Sequence, residues 1–208
     1  MGNETVSWVA TLASVLGLSV VSGVNLYAAV LTVGVGQRMG WITGLPPEMH
    51  VLANPLVLVV AGVFYLLEFV ADKIPFVTPL WDAIHTFIRP LGAALLAFGA
   101  AGNLDPSVQA IAAIMGGSIA FGTHSTKAGL RIAAHTVPEP TTHSLISLAE
   151  DFGVVGLLVL AYQYPWVALV VIALILVTAV LLIAFVIRAI RAFLRNLGNR
   201  FRSSDAPA

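Results

Sequence analysis

From Trp166 to Ile187 the chain runs without a single charge, which is long enough to cross the roughly 30 Å hydrocarbon core of a bilayer as one helix. Five further apolar stretches accompany it. The first runs from Ser7 to Gly36 with no charge and ends at Gln37-Arg38. The second covers about Val51 to Ala71, with Asn54-Pro55 near its start and Glu68 in its last turns. The third begins near Ile84, carries Arg89-Pro90 one turn in and fades at Gly102-Asn103. The fourth opens at Asp105-Pro106-Ser107, an N-cap-like start, and passes Lys127 towards Ala134. The fifth covers about Leu145 to Tyr162 and contains Glu150-Asp151.

Such a chain has too much apolar surface for one water-soluble core. Of its 208 residues 59% are hydrophobic and 10% charged, against about 45–50% and about 25% in soluble domains. The expected fold is all-α: a polytopic membrane protein with six transmembrane helices, forming a single transmembrane domain over residues 1–208. Met1-Gly2-Asn3-Glu4 lacks the basic start of a secretory signal, so the first stretch reads as a retained helix. With no cysteine, disulfides, thiolate metal sites and thiol catalysis are excluded.

Charge sets the expected orientation. With both termini cytoplasmic, the inner side holds Lys73, Arg89, Lys127, Arg131, Arg188, Arg191, Arg195, Arg200 and Arg202, and the outer side only Arg38. That asymmetry follows the positive-inside rule and fits a multi-pass protein of a bacterial-type plasma membrane with both ends inside. Residues 188–202 continue as a basic amphipathic helix suited to anionic lipid. Ser203 to Ala208 reads as a disordered tail.

Two stretches are too long for simple spans. Ser7 to Gly36 would extend about 45 Å as one helix, so it must tilt steeply or break, and Ser22-Gly23-Val24-Asn25 supplies a mid-span glycine beside an amide. The fourth stretch offers Gly116-Gly117 and Gly122-Thr123-His124-Ser125, and the glycines of both stretches serve either as breaks or as small residues for close helix packing. Dividing the chain at Asn103–Pro106 gives two halves, about 7–102 and 107–190. Each has a polar glycine patch in its first helix and then a Pro-rich loop, Leu45-Pro46-Pro47-Glu48 and Pro138-Glu139-Pro140. Three spans per half would make them inverted repeats, an arrangement of secondary transporters.

Ionisable residues collect on a few helix faces. Glu68 and Asp72 are four apart with Lys73 adjoining; Asp82, His85 and Arg89 share a second face; His124, Lys127, Arg131 and His135 share a third; Glu150 and Asp151 complete the set. Charges inside spans are costly and mark functional sites. Snorkelling at the span edge accounts for Asp72, Lys73 and Glu139, and an internal network for Glu68, Asp82, Arg89, Lys127, Arg131, Glu150 and Asp151. The candidate ion- or substrate-binding set is Asn25, Glu68, Asp72, Lys73, Asp82, His85, Arg89, His124, Lys127, Arg131, Glu150 and Asp151. No Gly-x-Ser-x-Gly, His-Glu-x-x-His or Walker loop occurs, so neither an enzyme nor a cofactor is expected. The histidines at 85, 124, 135 and 143 lack tight ligand spacing, so no metal is expected either.

The long motifs Ser22-Gly23-x-Asn25-Leu26-Tyr27, Glu68-Phe69-Val70-Ala71-Asp72-Lys73-Ile74-Pro75, Trp81-Asp82-x-x-His85-Thr86-Phe87-Ile88-Arg89-Pro90 and Thr126-Lys127-Ala128-Gly129-x-Arg131 resemble the bacterial DUF4126 family of membrane proteins. Pro138-Glu139-Pro140 and Ser147-Leu148-Ala149-Glu150-Asp151 fit it too. The resemblance implies a membrane protein and no particular activity. A looser similarity is to small exporters of two inverted triplets, such as the manganese/calcium exchangers with their Glu-x-Gly-Asp-Lys motif. Here Glu68 to Lys73 has one residue too many and no glycine, so cation exchange is an analogy only.

The leading functional expectation is a secondary transporter or permease for a small solute or ion, with the charged network as its site and membrane lipids as its surroundings. The alternative is a non-transporting lipid-binding or membrane-organising protein in which the network only locks the bundle. An enzyme acting on lipid head groups through Asp82 and His85 is the least favoured. No nucleic-acid partner is expected, and a homo-oligomer is left open.

Overall fold

The computed structural model describes residues 2–74, 77–134 and 140–204. They form helices α1 (Gly2–Arg38), α2 (Pro55–Ala71), α3 (Thr78–Ala100), α4 (Pro106–Ala134), α5 (Pro140–Gln163) and α6 (Pro165–Ser204), with a 3₁₀ segment, Pro47–Ala53, ahead of α2. No strand occurs among these residues. His135 and Pro138-Glu139 lie outside them. Local chemistry sets the starts: the Asn54 side chain accepts from the Leu56 N–H at 2.8 Å, and Asp105 from the Ser107 N–H at 2.8 Å. Prolines occupy the first helical positions of α2 and α4. The tail expectation is corrected in part, because Ser203 and Ser204 still belong to α6.

Three helical stretches among the described residues are long and apolar enough to cross a membrane: Ser7–Arg38, Thr78–Ala100 and Pro165–Ala189. A fourth joins them if Pro47–Ala53 and α2, bent by 64°, count together. The outer faces are apolar. Leu56, Val59, Val63, Leu66 and Val70 of α2 and Leu174, Val177 and Leu181 of α6 are all exposed, which is compatible with a membrane protein. The core lies around α1, which touches every other helix.

Within its long helical stretch α1 is two helices. Asn25 has φ −152° and ψ 99°, and its side-chain oxygen accepts from the Ala28 N–H at 2.9 Å. That is the geometry of an N-cap, whose side chain bonds the third helical residue. One arm, residues 2–24, therefore ends here and a second, residues 26–38, begins.

The neighbours of the two arms show which way each runs. Along the first arm Ser19 lies by Gly116, Gly23 by Ala120 and Thr123, and Val24 by Lys127. The numbers rise together, so this arm is parallel to α4. Along the second, Tyr27 stacks on Phe64 and Gly34 lies against Leu58. Here one number rises as the other falls, so this arm is antiparallel to α2. Helices α2 and α4 run the same way, since Arg131 near the end of α4 pairs with Asp72 at the end of α2.

The arms of α1 thus point in opposite directions. Both reach the end of the bundle where α5 finishes: Gly17 lies against Ala161, and the Gln163 amide donates to the Trp41 carbonyl at 2.5 Å. The second arm stops in a Schellman turn, with Gly40 at φ 75° and the Trp41 N–H bonded to the Gly36 carbonyl at 2.8 Å. The excess length of the first stretch is absorbed by folding back. The expectation that it crosses the bundle once is corrected.

Of the two readings of the α4 glycines, the break is absent and close packing is present: α4 is continuous through Gly122–Ser125. Its hydroxyls bond back into the helix instead of capping a new one: Ser125 to the Phe121 carbonyl at 2.7 Å and Thr126 to Gly122 at 2.9 Å. Gly116 and Gly117 serve close packing, against Ala97 and the Pro90 carbonyl of α3.

Gly23 is the tightest point of this core. A Cβ there would overlap the Ala120 carbonyl oxygen and the Thr123 hydroxyl, whereas one at Gly122 would meet nothing within 4 Å. Gly23→Ala should cost at least the roughly 1–3 kcal/mol typical of overpacking. Gly122→Ala should be neutral or stabilise by up to about 1 kcal/mol through helix propensity. Thermal unfolding of the two variants in detergent checks this, with equal shifts being the contrary result.

Candidate functional site

The break in α1 sets the site. A helix end leaves carbonyls without helical partners, and the partial negative charge there favours cations. At the end of the first arm the Arg89 guanidinium (Nη1) donates to the Gly23 carbonyl at 3.1 Å and Lys127 Nζ to the Val24 carbonyl at 2.8 Å. The start of the second arm has the opposite polarity and faces a carboxylate. Asn25 Nδ2 donates to Asp151 Oδ1 at 3.0 Å, and Tyr65 Oη donates to Asp151 Oδ2 at 2.8 Å. Side chains from α2, α3, α4 and α5 thus converge on the cut ends of α1.

Each cation of the network has a carboxylate. Arg89 Nη2 and Glu68 Oε1 are 2.8 Å apart, and the two side chains are 0% and 1% exposed. Lys127 Nζ lies 2.8 Å from Glu150 Oε2. Arg131 grips Asp72 with both nitrogens, at 2.8 and 2.5 Å, and reaches Glu150 at 3.4 Å and Asp82 at 3.7 Å. A cation at such depth requires a partner, and the helical spacings explain how partners are supplied. Positions three and four apart share a face, so α3 presents Asp82, His85 and Arg89 together and α4 presents His124, Lys127 and Arg131.

Hydrogen bonding assigns His124 to the neutral form. His124 Nδ1 accepts from Arg89 Nη1 at 2.6 Å, so the proton is on Nε2, which faces the Asp82 carbonyl and the Thr86 hydroxyl, each at 3.1 Å. His85 Nδ1 donates to the Trp81 carbonyl at 2.8 Å, and its Nε2 shares a hydrogen bond with Tyr27 Oη at 3.0 Å. Four polar atoms on the α2–α3 side are buried without a partner among the described residues: Glu68 Oε2, Asp82 Oδ1, Arg89 Nε and Trp81 Nε1.

Of the twelve candidate residues, the structure brings eleven into this cluster. Lys73 stays out: it is exposed, with its ammonium 3.0 Å from the centre of the Phe69 ring and donating to the Phe69 carbonyl. Asp72 departs from the span-edge expectation, since its side chain is 4% exposed and bound to Arg131. The sequence reading missed Tyr27, Tyr65, Trp81 and Thr86. Tyr65 was recoverable, being three residues before Glu68 on the same face of α2.

If Glu68 and Arg89 are a buried pair, removing one leaves an uncompensated charge. Arg89→Met or Glu68→Met alone should cost about 3–5 kcal/mol, and the double variant clearly less than the sum. Thermal unfolding through the double-mutant cycle decides it. Additive losses would show that the groups do not interact.

The sequence profile of DUF4126, described as a domain of unknown function, matches residues 12–185. No curated protein and no solved structure matches the chain.

Proposed function

We propose that this chain, which belongs to the DUF4126 family, is a membrane transporter or permease for a small solute or ion. Its site would be the charged network at the apex of α1. The observation that carries this reading is the interrupted helix whose cut ends meet Arg89, Lys127 and Asp151. A network that only stiffened a bundle could be built from side-chain pairs between intact helices. Breaking a helix in apolar surroundings gives up backbone hydrogen bonds that must be replaced. Broken helices whose ends face charged groups are a feature of transporter binding sites. The second reading, a lipid-binding or membrane-organising protein, draws support from the pairing of Arg89, Lys127 and Arg131 with carboxylates.

In this proposal α2 to α6 cross a plasma membrane five times and α1 is a re-entrant hairpin. The end carrying Lys73 and Arg188, Arg191, Arg195, Arg200 and Arg202 is cytoplasmic. Arg89, Lys127 and Arg131 leave the earlier positive-inside tally because they are spent internally, yet the bias survives, with Arg38 alone at the other end. The amino terminus then lies opposite the carboxyl terminus. A half made of one hairpin and two spans is not the inverted image of a half with three spans. The six-span scheme of two inverted triplets, with both termini inside, gives way to this one.

Reporter fusions at the amino terminus, Asn103 and Ala208 check the topology. The first two should share the outer side, with Ala208 inside; an amino terminus on the side of Ala208 would restore six spans. For transport, the full chain is reconstituted in liposomes on a solid-supported membrane and challenged with alkali cations, ammonium, inorganic anions and amino acids. A saturating current for one class, lost in the folded Arg89→Met/Glu68→Met variant, is the expected result. A folded protein silent to the whole panel favours the membrane-organising reading.

A further inference from the structure

The carboxylates of the network outnumber its cations. Glu68, Asp72, Asp82, Glu150 and Asp151 stand against Arg89, Lys127 and Arg131, and His124 among them is neutral because its Nδ1 accepts from Arg89. Matching each cation to its nearest carboxylate consumes Glu68, Glu150 and Asp72. Two remain. Asp151 has both oxygens occupied by neutral donors, Asn25 and Tyr65, at the start of a helical arm. Asp82 has no such provision. Its Oδ2 lies 3.7 Å from an Arg131 already gripping Asp72, and its Oδ1 is buried without a partner among the described residues.

A second observation points to the same side of the network. Glu68, 1% exposed, uses only Oε1 on Arg89, and its Oε2 also lacks a partner among the described residues. An anionic oxygen in such surroundings is costly without a donor or a cation. Around Asp82 stand Arg131 and His124 of α4, Asp72 of α2, Glu150 of α5, and His85 and Arg89 of its own helix. No group of three His, Asp or Glu among the described residues is arranged to hold a metal ion. That weighs against a divalent cation, which is held through several carboxylate or carbonyl oxygens.

We propose that Asp82 is the primary carboxylate of a binding site for a small monovalent cation, an alkali-metal ion or ammonium. The cation supplies positive charge that the side chains lack. If the permease reading of the same network holds, this makes the solute or the coupling ion a monovalent cation. Cation binding itself does not depend on transport.

The test measures thermal unfolding of the full-length protein in detergent at constant pH and ionic strength, with choline chloride replaced stepwise by sodium, potassium, lithium or ammonium chloride. At least one of these should raise Tm saturably above the choline value. The identity of the active salt tells alkali ion from ammonium. Asp82→Asn should abolish the response, and Asp151→Asn should leave at least part of it. If Asp82→Asn fails to fold, Asp82→Glu, which keeps the charge but moves it, should retain a response with altered cation preference. No difference from choline in the wild-type protein overturns the proposal, as does an undiminished response in Asp82→Asn. A response fully reproduced in choline by lowering pH assigns the charge to a proton and overturns it too. Saturable binding without current in liposomes would leave this site standing and remove the permease reading. Current for anions or neutral solutes alone would do the reverse.

Discussion

A polypeptide surrounded by apolar groups has no water to satisfy an interrupted backbone, and the break at Asn25 places that problem at the centre of this molecule. Each orphaned carbonyl or N–H in such surroundings costs several kcal/mol. The chain meets the cost with its own side chains. The Asn25 amide oxygen caps the arm that follows, and Arg89 and Lys127 bind the carbonyls of the arm that precedes. The rest of the charged cluster follows from those two cations. Arg89 at 0% exposure cannot stand alone, so Glu68 is drawn in from α2, and Lys127 similarly draws Glu150 from α5.

The network therefore serves geometry and chemistry together. It ties α2, α3, α4 and α5 to the apex of α1, while Gly23 lets α4 approach the backbone just before the break. A structure held this way is stiff where pairs are complete, as for Arg131 on Asp72, and open to exchange where they are not. Among the described residues the incomplete places are Asp82 Oδ1, Glu68 Oε2, Arg89 Nε and Trp81 Nε1, all on the α2–α3 side. In a permease, that asymmetry gives a solute somewhere to bind without first breaking a completed pair.

Much of this was legible in the residues. The mid-span patch Ser22-Gly23-Val24-Asn25 marked the break, since glycine beside a capping amide is unusual in an apolar run. The faces Asp82-His85-Arg89 and His124-Lys127-Arg131 were readable because helical spacing alone defines them. Direction was not readable. Hydropathy scores a residue's preference for lipid and says nothing about which way the chain leaves a break, so the hairpin of α1 passed for one long span. The same limit applied to the glycines of α4. Gly122 resembles Gly23 in its polar setting, yet only tertiary contact shows that one is pressed against a neighbouring backbone and the other is open. Lys73 was grouped with Asp72 by adjacency, but consecutive helical residues point about 100° apart, and at the end of α2 that turn carries Lys73 outside.

The central claim, that α1 doubles back at Asn25, is best tested by a distance. The chain has no cysteine, so Thr11→Cys and Arg38→Cys can be spin-labelled without background and measured by pulsed electron–electron resonance in detergent and in liposomes. A continuous helix would hold the two backbone positions about 40 Å apart. A narrow distribution well short of that value is the result expected from two arms returning to one end of the bundle. A distribution centred near 40 Å would contradict it, and with it the placing of Arg89, Lys127 and Asp151 at a break between opposed arms.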